Sequence, residues 1–194
     1  GNIIERNEAA KDRIPPMPID VCGADSQGGI GYMIQQILGS ELRDEGLGKD
    51  VVSVISQVRV SKKDDAFQKP TKPIGPFYSR EDKEKIEKEK DWIMKEDVAG
   101  RGFRRVVPSP TPLEIIEARV ISRLLDFEVV VIAVGGGGIP VVRKGNHLVG
   151  VEAVIDKDRA ASVLAGNISA ERLIILTNVD YVYVNYGEPD QKPL

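Results

Sequence analysis

The residues with the most pointed chemistry are Asp156, Lys157 and Asp158, which stand just ahead of a helix-forming stretch in GVEAVIDKDRAASVLAG, residues 150–166. A helix start favours anions, Lys157 offers a mobile positive charge, and Asp158 can orient that lysine. The competing reading is a capped, solvent-exposed helix start in which Asp156 or Asp158 is only the cap. The local pattern leaves both readings open. A second candidate is the glycine run Gly135, Gly136, Gly137 and Gly138, which ends the apolar segment EVVVIAV. Glycine there lets backbone N–H groups approach a ligand where a Cβ would clash. Thr177, Asn178, Val179 and Asp180 end another apolar run, RLIIL. In open α/β sheets ligands bind at such carboxyl edges, so three separate pieces are expected along one rim. Glycine amides and lysines without an evident catalytic base suit phosphoryl transfer, in which the protein mainly positions groups and neutralises charge. Neither a Walker loop nor a G-x-G-x-x-G fingerprint is present.

Elements must bring these pieces together. The glycine strand, 129–134, has no polar alternation and is expected to be buried on both faces, as in a parallel sheet. IPPMP at 14–18 is an extended hinge. Asp25 or Ser26 is expected to cap a helix with one apolar stripe of Ile30, Met33, Ile34, Ile37, Leu38 and Leu42, and Gly46 to stop it. Gly28, Gly29 and Gly31 near its start suit close approach of either a backbone or a ligand. VVSVISQVRV, 51–60, predicts one strand. Residues 62–112 differ in character, and so long a polar insertion predicts a protruding, lid-like subdomain within a single domain spanning 1–194. Ser79 and Asp82 predict a capping box for a Lys/Glu-rich helix. Lys72 lies between Pro70 and Pro73 and, by local sequence alone, reads as a solvated lysine. Arg101, Arg104 and Arg105 suggest either an anion patch or ordinary ion pairs. Thr111 and Glu114, with Pro112 at the first helical position, predict a second box opening a helix that buries Ile116, Val120, Ile121 and Leu124. Residues 141–150 predict a hairpin turning at 144–146, and 172–184 a further buried strand.

Composition narrows the classes. The chain has 194 residues, a formal charge of −3 and only one cysteine and one histidine. That charge gives no global pull toward nucleic acid. Cys22 alone cannot make a disulfide or a cysteine zinc cluster, and His147, in a turn after Gly145 and Asn146, does not suggest a histidine metal site. No metal-ligating residues are singled out. No apolar run approaches a membrane span, and a cytoplasmic setting is the default.

In order along the chain, SQGGIGY, PTKPIGPF, KEDVAGRGFRRVVPSP, GGGGIPVV, GVEAVIDKD and TNVDYV resemble the carbamate kinases, members of the amino-acid kinase fold. The resemblance covers nearly the whole chain. It implies a three-layer αβα fold with a mostly parallel central sheet. The implied reaction is reversible phosphoryl transfer between ATP and carbamate, giving ADP and carbamoyl phosphate, in arginine catabolism. It further implies a Mg²⁺-bound nucleotide and a homodimer, without nucleic acid or membrane partners. Lys157 resembles the lysine that touches the transferring phosphoryl group, and Asp158 the aspartate that organises the active-site lysines. Lys72 resembles the lysine brought in by the protruding subdomain, against its local reading. Gly135, Gly136 and Gly137 resemble the loop beside carbamate and phosphate, and Thr177, Val179 and Asp180 part of the nucleotide wall. The family's N-terminal Gly-Gly-Asn strand, its His-Gly-Asn-Gly loop and its C-terminal portion have no counterpart, so the chain reads as a central fragment. The alternatives are a truncated, inactive remnant that oligomerises or binds phosphate, and another amino-acid kinase acting on a larger acid.

Overall fold

The computed structural model describes residues 2–90, 92–97, 100–177, 180–185 and 187–193. Helix α1 (Asn2–Ala10) leads through the proline hinge into the long α2 (Ile19–Asp44). The apolar stretch 51–60 does not form one strand. It divides into β1 (Val51–Ser53) and β2 (Gln57–Arg59), which belong to different sheets. β1 pairs in parallel with β7 (Val130–Ile132). β2 is the centre of a four-stranded sheet: it runs parallel to β8 (Ile139–Lys144) and antiparallel to β6 (Glu114–Ile115), and β8 turns back into β9 (His147–Gly150). Ser56, fully buried in the intervening link, causes the division. Its hydroxyl donates to the Val54 carbonyl and accepts from the Val134 amide, so it serves both sheets at their junction.

The main core joins Val58, Val60, Ile115, Ile121, Val134, Val142, Ile155 and Ala160. Helix α4 (Ala118–Asp126) contributes Ile121 and α5 (Lys157–Asn167) contributes Ala160. Burying such side chains contributes roughly 1.5–3 kcal/mol each. The expected parallel pairing of strands around a helical crossover is observed, and the hairpin at 141–150 turns through Gly145 and Asn146 with Lys144 opposite His147.

Strands β3 (Lys72–Tyr78), β4 (Ile93–Glu96) and β5 (Phe103–Val107) make a third sheet, with β5 central and no strand shared with the others. Between β3 and β4 lies α3 (Arg80–Glu89), opened by the expected box: the Ser79 hydroxyl accepts from the Asp82 amide at 3.1 Å. This inserted sheet meets the rest through a second small core, Ile19, Ile74 and Val107, with Ile4 and Val154 against it.

Several expectations are corrected. Helix α2 starts at Ile19 after Pro18, not at Asp25 or Ser26. Its buried face is the small-residue one: a Cβ at Gly31 would lie 2.9 Å from the Ser53 hydroxyl, so that glycine serves backbone packing. The expected stripe points outward instead, with Ile30, Met33, Ile34 and Ile37 all exposed. Thr111 and Glu114 open no helix. Glu114 pairs with Arg59 across β6 and β2 at 2.6 Å while Ile115 enters the core, and α4 begins only at Ala118, leaving Val120 exposed. β7 is half-buried rather than buried on both faces, because it has one strand neighbour, β1, among the described residues. Residues 172–177 form no strand and are exposed, since no described strand pairs with them; only β10 (Tyr183–Val184) forms, against β11 (Lys192–Pro193).

Candidate active site

The glycine turn closes tightly. Val134 adopts a left-handed conformation, φ 57° and ψ 28°, which is costly for a β-branched residue by about 1–3 kcal/mol. Its amide is held by the Ser56 hydroxyl at 2.9 Å, which keeps the strained turn in register. The Gly137 and Gly138 amides bond back to the Val134 and Gly135 carbonyls. Gly135 and Gly136 are exposed residues whose amides make no such bond, which leaves them as the candidates for an oxyanion. Gly137 has φ +98°, and a Cβ there would overlap the Ile155 carbonyl oxygen. The absent side chain therefore lets the turn lie directly on the segment that leads to Lys157.

Helix α2 backs this turn from behind. Gln27, buried within the helix, donates from Nε2 to the Ser56 carbonyl at 3.1 Å and accepts the Ser56 amide at 2.8 Å. In effect its side-chain amide takes the place of one strand pairing. Sequence inspection missed Gln27 and Ser56; the signals were the serine interrupting a valine-rich run and the polar residue one turn before Gly31.

At the start of α5, Asp156 is the cap. Its Oδ1 accepts from the Asp158 and Arg159 amides at 3.0 and 3.2 Å. Its Oδ2 accepts from Lys72 Nζ at 3.1 Å. Lys72 is thus not freely solvated: it opens β3 and reaches across to the main sheet's side. Burial opposes ionisation of Asp156, but Lys72 and the two amides outweigh it and hold this carboxyl below the ordinary carboxylate range. Lys157 Nζ donates to Asp158 Oδ1 at 2.7 Å, and that bond and charge raise the lysine further above its ordinary value. The ammonium therefore stays charged throughout the neutral range while remaining largely exposed.

Lys72 and Gly137 thus both meet residues 155–156, directly before Lys157 and Asp158. Thr177 and Asp180 are exposed, and among the described residues no hydrogen bond or ion pair links them to this cluster. Asn178 and Val179 lie outside the described residues. The three arginines do not form an anion patch: Arg101 pairs with Asp97, Arg104 donates to the Gly75 carbonyl, and Arg105 pairs with Glu152.

Compared with known proteins, residues 39–194 match the model of the amino acid kinase family. The chain belongs to that family. It is 55% identical over 181 residues to carbamate kinase of Oenococcus oeni, covering 93% of this chain and 58% of that protein. It is 49% identical to carbamate kinase 2 of Enterococcus faecalis, over 100% of this chain and 62% of that one. Among solved structures, the carbamate kinase of Giardia lamblia bound to citric acid superposes with a TM-score of 0.87 at 45% identity, over 96% of this chain and 60% of its own. The same enzyme bound to AMP-PNP gives 0.83. The chain thus spans about three-fifths of the length of the relatives it matches.

Proposed function

We propose that this chain carries the phosphoryl-transfer rim of a carbamate kinase, interconverting ATP and carbamate with ADP and carbamoyl phosphate in arginine catabolism. One observation carries the reading: Lys72, which bonds Asp156, and Gly137, which lies against Ile155, come from distant parts of the sequence and meet at the short segment that carries Lys157 and Asp158. A phosphoryl group in flight spreads negative charge over its equatorial oxygens, and fixed amides with two ammonium groups stabilise that charge. In this reading Lys157 contacts the transferring group and Asp158 holds its ammonium in place. Lys72 approaches from residues 62–112, which act as a protruding, lid-like subdomain of a single kinase domain spanning 1–194. Gly135, Gly136 and Gly137 line the side facing carbamate and phosphate. Thr177, Val179 and Asp180 belong to the nucleotide side, for which the support is their resemblance to the family's nucleotide wall.

The nucleotide is ATP or ADP, as the AMP-PNP complex of the Giardia lamblia relative suggests. Among the described residues no group of three or more His, Cys, Asp or Glu could hold a metal. Mg²⁺ therefore fits as an ion carried mainly by the nucleotide phosphates, its common mode of binding. We place the enzyme in the cytoplasm as a homodimer. The exposed isoleucine face of α2 supports the dimer, and no helix among the described residues is long and apolar enough to cross a membrane.

The test is ATP formation from ADP and carbamoyl phosphate in a coupled assay. Lys157→Ala should lower kcat by about 10²–10³, the loss expected when a principal charge-stabilising group is removed. Turnover in that variant close to the unsubstituted chain would overturn the assignment. Calorimetry with ADP and Mg²⁺ separates loss of chemistry from loss of binding.

A further inference from the structure

Residues 152–156 do more than lead into α5. Ala153 and Ile155 face the core and are each only 1% exposed. Glu152, Val154 and Asp156 instead reach toward the inserted sheet. Glu152 Oε2 pairs with Arg105 of β5 at 3.3 Å. The Val154 amide donates to the Pro108 carbonyl at 2.9 Å, just beyond β5. Asp156 Oδ2 holds Lys72 of β3 at 3.1 Å. Three successive outward positions thus meet the same sheet.

Both carboxylates have a second duty. Glu152 Oε1 accepts the Ile19 amide at 3.1 Å, supplying α2 with the cap that Pro18 lacks. Asp156 Oδ1 caps α5. Each carboxylate therefore spends one oxygen on a helix start and the other on a cation of the inserted sheet.

We propose that Glu152 and Asp156 are positioning residues that fasten the inserted sheet to the segment leading into Lys157, so that Lys72 is held beside Lys157 while the sheet is seated. The purpose rests on the phosphoryl-transfer reading; the fastening itself does not. A cap alone would need neither Arg105 nor Lys72, and two surface ion pairs alone would not fall on alternate residues around a shared backbone bond. Lys72 and Asp156 are each about one-third exposed, so the attachment is reversible and suited to a part that must admit substrate.

Asp156→Asn and Glu152→Gln separate the two duties. Asparagine caps a helix about as well as aspartate, and the glutamine side chain of Glu152→Gln would still offer an oxygen to the Ile19 amide, so each variant keeps its helix cap and loses only the cross-link. The Val154 amide is the natural reporter, since its acceptor belongs to the far side of the junction; the Ile139 amide, bonded to the Ser56 carbonyl, is the core reference. In the double variant, Val154 hydrogen exchange should quicken about 5- to 30-fold while Ile139 is unchanged. Acetylation of Lys72 by acetic anhydride, measured against Lys144 in its exposed turn, should rise about 2- to 5-fold in Asp156→Asn. Unchanged Val154 exchange and unchanged Lys72 acetylation would overturn the proposal. So would a matching rise at Ile139, which would report general loosening instead. Neither measurement uses nucleotide or carbamoyl phosphate, so a chain without kinase turnover can pass this test and an active one can fail it.

Discussion

At the scale of single residues, the glycine turn shows how an absent side chain can be structural and chemical at once. Gly137 lies against the Ile155 carbonyl at φ +98°, so any Cβ must push apart the turn and the segment before Lys157. Gly137→Ala should cost about 2–4 kcal/mol in urea unfolding, from backbone strain and overlap together. Asp156 gives a signed dependence on pH. Its carboxyl titrates below the usual 3.8, so whatever the ionised form contributes is fully present above that value and disappears as pH falls through the lower folded one. The chain's advantage over Asp156→Asn, under about 1 kcal/mol at this exposure, should hold from neutrality to that point and vanish below it in acid unfolding followed by circular dichroism. Lys157 and the glycine run were singled out as candidates by type and flank alone: a charge between two carboxylates, and four glycines ending an apolar run. Asp156 as the holder of Lys72 was not legible, since 84 positions separate the partners and only tertiary packing brings them within reach. The same holds for Gln27 and Ser56, whose pairing imitates a strand contact that local periodicity does not encode.

At the scale of elements, local rules succeeded where the partner lay nearby and failed where it lay far away. The Ser79–Asp82 box and the Gly145–Asn146 hairpin are short-range and were legible. The Thr111–Glu114 box has equally good local chemistry, yet Arg59 and the core claim Glu114 and Ile115 for a strand. Helix α2 gives the clearest reversal. Its isoleucines have the spacing of a buried stripe, but Gly31 and Gly39 allow the opposite face to approach Ser53 and Val51 more closely than branched side chains could. The isoleucine stripe is thereby left outside, and this exposed apolar patch is the surface assigned to the proposed dimer. Ile34→Glu with Ile37→Glu should leave the circular dichroism spectrum and unfolding midpoint near those of the parent while lowering the mass seen in sedimentation. A dimer unaffected by both charges would place its interface elsewhere.

For the whole molecule, the division of labour is between a tightly packed sheet system and a separately hydrogen-bonded one joined to it through a small apolar contact and scattered charges. Family and class were legible because ordered motifs survive along the chain; how the inserted sheet is seated was not, because its attachment is written in pairs such as Lys90 with Glu8 and Arg105 with Glu152. Those two cations also flank Trp92, with Lys90 Nζ 4.1 Å and Arg105 Cζ 4.4 Å from the ring centre. Trp92 is the chain's single tryptophan. Excited at long wavelength, the protein therefore emits from this seam alone, and any ligand that lifts or settles the seam will alter the colour and lifetime of that light without a dye or a label.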